Sequence, residues 1–110
     1  MAIIKNIAAE QVFAVKDLVD YVEEATANLT LAKNDQLNLS VFAFDVGEGL
    51  STHQAPGDAF IAILDGEAEI VIADEKYQLK TGESIIMPLG KPHSVLAVTK
   101  MKMLLNLVKA

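Results

Sequence analysis

From Leu29 onward, apolar and polar residues alternate in short runs separated by turn residues, the two-residue period of β-strands. The run "LTLA" leads into the turn signal Lys33-Asn34-Asp35. In "QLNLSVFAFD", Leu37, Leu39, Val41 and Ala43 fall on one face of a strand, with Phe42 and Phe44 on the other. Gly47 and Gly49 break the chain. "AFIAIL", Ala59 to Leu64, stops at Asp65-Gly66, a dipeptide that predicts a hairpin turn. "EAEIVIA" sets Ala68, Ile70 and Ile72 against Glu67 and Glu69. A turn at "ADEK", a short strand "YQL", a turn at "KTGE", "SIIM" running to Pro88, and then "HSVLAV" and "MKMLLNLV" complete the series. About eight or nine short strands with turns roughly every 8–12 residues predict an all-β sandwich or barrel. No repeat or linker interrupts them. The expected organisation is one domain, with a barrel over 29–110 and an N-terminal covering segment over 1–28.

The covering segment has a different period. Val12, Val15, Leu18, Val19 and Val22 follow a helical spacing, with Asp17, Asp20, Glu23 and Glu24 opposite them. A helical turn within 8–24 is the favoured reading, and an edge strand around Asp17 to Tyr21 is the other. Two strands are apolar on both faces. Ala59, Ile61 and Ile63 alternate with Phe60, Ala62 and Leu64, and Leu104, Asn106 and Val108 alternate with Met103, Leu105 and Leu107. A sheet with one wet face carries polar residues at every second position. The second face is therefore expected to be covered, by a partner copy in a homodimer or, as the second choice, by the N-terminal segment.

Composition narrows the function classes. The 110 residues carry a net charge of -6 and no arginine, and the nine basic residues are scattered lysines. Nucleic acid and anionic membranes are poor partners for such a chain, and an arginine clamp for phosphate or carboxylate is excluded. There is no cysteine, which removes disulfides, thiolate nucleophiles and iron–sulfur clusters. No secretory signal and no apolar run of about 20 residues is visible, so a cytoplasmic location is expected.

The two histidines lie in two spaced motifs. In "GEGLSTHQAPGDA", Gly47 is followed by five residues and His53, then by Ala55, Ala59 and, after six intervening residues, Gly66. In the second stretch, Gly82, Pro88, Gly90 and His93 recur at fixed intervals, with Ala97 beyond them, and 15 residues from Glu67 to Thr81 separate the two. This spacing resembles the two motifs of the cupin superfamily over residues 47–97, and specifically its shortest single-domain microbial members. The resemblance implies a jelly-roll β-barrel. In metal-bearing members the first motif supplies two histidines and a glutamate and the second motif one histidine. Here Ala55 and Ala59 stand where the second histidine and the glutamate would be, and Ala97 stands for an asparagine.

His53 and His93 are thus the candidate metal or ligand residues. Strand parity places His53, Ala55 and Ala59 toward the interior, with His93 facing the same space from a neighbouring strand, while Gln54 and Asp58 are expected to point away. Two imidazoles hold a divalent ion only weakly, and nickel, zinc, iron and copper are all compatible with them. The leading expectation is a barrel pocket that takes a small molecule, with or without a weakly held metal. The alternative is a metal-dependent oxygenase, isomerase or decarboxylase in which water completes the ligand set. A metal-free acid–base enzyme and a purely structural module are further possibilities.

Overall fold

A computed structural model describes residues 3–110. Among these residues, nine strands follow a single 3-10 turn at Val15–Leu18: β1 Thr26–Lys33, β2 Leu37–Phe44, β3 Gly49–His53, β4 Gly57–Asp65, β5 Glu67–Ile72, β6 Glu75–Lys80, β7 Ser84–Met87, β8 His93–Ala97 and β9 Met101–Lys109. They form two antiparallel sheets, in the order β1-β2-β9-β4-β7 and β3-β8-β5-β6. Most connections cross from one sheet to the other, as in a jelly roll. Only β1–β2 and β5–β6 are hairpins between sequence neighbours.

Asp65-Gly66 is not the hairpin its sequence suggests. β4 pairs with β7 and β9, whereas β5 pairs with β6 and β8, so the dipeptide turns a corner between the sheets. Gly66 has φ +83°, and a Cβ there would run into the Lys100 carbonyl. Positive φ and a close backbone approach, the properties that favour glycine in a hairpin, serve the corner equally well.

The space between the sheets is filled by alternate residues. Phe44, Ile61, Ile63, Met87, Met101 and Met103 come from the five-stranded sheet, and Ala68, Ile70, Ile72, Leu79, Val95 and Ala97 from the other. Burying a side chain such as Ile61 contributes about 1.5–3 kcal/mol. A second cluster lies on the outer face of the five-stranded sheet. There Val15, Leu18 and Val19 of the N-terminal segment pack near Leu31, Val41, Ala43, Leu64 and Leu104. The N-terminal segment therefore covers part of the second apolar face, the reading placed second from sequence. Phe60, Ile86 and Val108 on the same face remain 41 %, 55 % and 53 % exposed.

The helical spacing of the segment extends too far on paper. Only four residues form a helical turn, Val12 and Val22 are exposed, and no edge strand forms over Asp17 to Tyr21. Specific polar contacts hold the segment instead. Tyr21 Oη donates to Asp65 Oδ2 at 2.7 Å, and Lys102 Nζ donates to the Lys16 carbonyl at 2.7 Å. The Asp45 carboxylate accepts from the Glu24 and Val46 amides at 2.7 and 2.8 Å. Those two amides hold Asp45 below the usual carboxylate range. No helix among the described residues is long and apolar enough to cross a membrane.

Candidate functional site

The two histidines meet because β3 and β8 are neighbours. His53 and His93 are direct cross-strand partners, with ring centroids 4.6 Å apart and planes at 77°. A register shift between Leu50 and His53 inserts one extra residue into β3. Leu50 pairs with the buried Val95 and packs against the core, while His53 pairs with the buried His93. Leu50 and His53 have opposite parity in sequence, yet the bulge turns both toward the interior.

Both rings are anchored in the same way. His53 Nδ1 lies 2.7 Å from the Ser51 carbonyl oxygen, and His93 Nδ1 lies 3.2 Å from that of Lys91. In each case the carbonyl belongs to the residue two positions earlier. The Lys91 side chain is exposed, and the residue acts on the site through its backbone. The surroundings differ. His93 is 2 % exposed and its Nε2 is buried without a partner among the described residues, whereas His53 is exposed. Burial, and then the neighbouring His53, push His93 below the ordinary histidine range against the opposing effect of the Lys91 carbonyl.

His53 stands on the wall of a cavity of about 490 Å³ at the barrel mouth. Phe42, Leu50, Leu105 and Leu107 supply apolar walls, and Asn38, Ser51 and Gln54 supply uncharged polar groups. Ala59 is buried in the core, as parity predicts, and Ala55 also lines the cavity. Asp58 points away, with Oδ1 accepting from the Leu89 amide at 2.8 Å. Gln54 departs from expectation. β3 ends at His53, so alternation no longer governs the next residue, and Gln54 lines the cavity.

Asn38 carries no motif that marks it as a site residue, although it shares parity with Phe42 and Phe44. A polar residue on the apolar-facing side of a strand was the available signal. Among the described residues, no three His, Cys, Asp or Glu side chains come together as a metal-binding group. Two imidazoles fall short of the three or four protein donors of an ordinary zinc site, so the residues present do not make up a firm divalent-ion centre.

Solved structures share this architecture. A conserved protein of unknown function from Streptococcus pyogenes is 37% identical, with TM-score 0.97 over 100% of this chain and 96% of its own. A cupin superfamily protein from Desulfitobacterium hafniense is 29% identical, with TM-score 0.94 over 99% of this chain and 100% of its own. A cupin 2 conserved barrel domain protein from Leptotrichia buccalis is 38% identical, with TM-score 0.85 over 88% of this chain and 47% of its own. No curated protein matches at a significant level. The cupin domain family model matches residues 40–108, which span both histidine motifs and the strands between them, and the chain therefore belongs to the cupin superfamily.

Proposed function

We propose that the barrel mouth binds a small uncharged molecule of mixed polarity, with His53 as its polar anchor and His93 supporting His53 from behind. The observation that carries this reading is the cavity itself. At about 490 Å³ it lies within the range of small-molecule sites, and among the described residues His53 is the only titratable side chain on its wall. Apolar walls with a few placed polar groups suit a guest that buries a hydrocarbon body and orients one polar end.

The metal reading ranks second. Nickel, zinc, iron or copper would have two imidazole donors and would depend on water or a small ligand for the rest of its shell, which makes it a weak occupant. An oxygenase, isomerase or decarboxylase built on such an ion would lack the Ala55 and Ala59 positions as donors. The exposed cross-strand neighbours Phe60 and Ile86, with Val108 beside them, support a homodimer through the uncovered part of the outer sheet face.

The test is a titration of the methyl-labelled chain with a library of small uncharged molecules, followed by NMR. Binders are expected to shift the Leu50, Leu105 and Leu107 methyl signals. Binders that collect only on the outer face, or none at the mouth at millimolar concentration, would overturn the reading.

A further inference from the structure

The hydrogen-bond pattern around the two rings narrows the class of ligand. A carbonyl oxygen accepts hydrogen bonds and donates none, so the nitrogen facing it must carry the hydrogen. Both His53 and His93 face a backbone carbonyl through Nδ1. In a neutral imidazole the other nitrogen, Nε2, is then a bare lone pair. For His93 that lone pair is buried without a partner among the described residues. For His53 it belongs to a ring on the cavity wall. Among the described residues no lysine lines the cavity, so an anion would meet a lone pair with no cation to offset it.

We infer that the ligand of this cavity is an uncharged, partly apolar molecule bearing a hydroxyl group that donates its hydrogen to Nε2 of His53, and that carboxylates and phosphates of similar shape are rejected. This rests on the binding reading above and specifies the chemistry of its polar end. Phe42, Leu50, Leu105 and Leu107 take the hydrocarbon part. The wall polar groups of Asn38, Ser51 and Gln54 are uncharged and supply no ionic partner. A divalent ion would compete for the same lone pair, so binding is to be measured in the presence of a chelator.

The experiment is a matched series, cyclohexanol, its methyl ether and cyclohexanecarboxylate, titrated into the chelator-treated full chain and read on the Leu50, Leu105 and Leu107 methyl signals. The alcohol is expected to bind about three- to tenfold more tightly than the ether, the increment of one neutral hydrogen bond, and the carboxylate is expected not to bind. In the His53→Phe variant, which changes an exposed side chain of similar shape, alcohol and ether are expected to bind equally. If alcohol and ether both bind at the mouth with equal affinity in the parent chain, the inference fails and the binding reading survives. A preference for the alcohol that persists in His53→Phe, or a carboxylate that binds as tightly as the alcohol, also overturns it. If no member of the series shifts those methyls, the binding reading falls and takes this inference with it.

Discussion

His53 and His93 are anchored by the same device and placed in opposite environments. Each ring sends Nδ1 to the carbonyl two residues before it, and the two residues face each other across β3 and β8. His53 lies at the bulged end of a strand, beside a loop and a cavity. His93 begins a regular strand that pairs on both sides, with β3 and with β5, and it is almost fully buried. The second motif thus supplies a fixed, desolvated ring, and the first supplies an accessible one. Position within the sheets, more than residue type, divides the two rings: a central strand excludes water, and a strand end at the mouth leaves the ring open to it.

The largest expected effect comes from restoring what the first motif lacks. Ala55→His with Ala59→Glu adds two donors on the His53 side of the pair. Nickel or zinc affinity should rise by at least about a hundredfold, since protein groups at metal sites commonly change affinity by factors of 10–100. His93→Ala should abolish whatever binding the parent has. Calorimetric titration of the three proteins decides the matter. A double variant no better than the parent would mean that positions 55 and 59 do not converge with His53.

Stability should separate the two rings next. His93→Ala leaves a cavity in the core and is expected to cost about 2–3 kcal/mol. His53→Ala removes an exposed ring and should cost less than about 0.5 kcal/mol. Urea unfolding midpoints of the two variants test this directly, and equal losses would erase the proposed division of roles.

A smaller effect concerns pH. The folded state holds His93 below its ordinary value of 6.5, so the unfolded chain takes up a proton that the folded chain refuses. Stability is therefore unaffected by this group well above pH 6.5, declines as the pH falls through 6.5, and stops declining on its account below the lowered folded value. Replacing His93 with Asn should flatten that decline, while His53→Asn should leave most of it. The Asp45 contribution lies in a separate, more acidic window, because its carboxylate is held below the usual range by the Glu24 and Val46 amides and is lost only when it protonates. Thermal unfolding at closely spaced pH values separates the two.

Much of the barrel was legible because its period is regular. Ile61, Ile63, Ile70 and Ile72 alternate, and each is buried where alternation puts it. Spacing also brought His53 and His93 to one place, since glycine turns with positive φ at Gly47, Gly66, Gly82 and Gly90 punctuate both motifs. The pattern fell short where pairing depends on distant residues. Nothing local in Asp65-Gly66 distinguishes a hairpin from a corner, because β9 and β7, far along the chain, claim β4. The bulge in β3 is equally silent, and without it Leu50 and His53 belong to opposite faces. The N-terminal valines carry a helical period that tertiary contacts use only at Val15, Leu18 and Val19. The Ser51 and Lys91 carbonyls, which set the ring orientations, are backbone groups that no side-chain motif reveals.

The most direct test of the account is the protonation pattern of the two rings. Long-range proton–nitrogen NMR of the ring-labelled, chelator-treated chain near pH 8 distinguishes a hydrogen-bearing ring nitrogen from a bare one. Both histidines are expected to carry the hydrogen on Nδ1 and to leave Nε2 bare, and a cavity-bound alcohol should move the His53 Nε2 signal more than that of His93. A hydrogen on Nε2 of His53 would contradict the account, because the cavity would then present a donor where a lone pair is required.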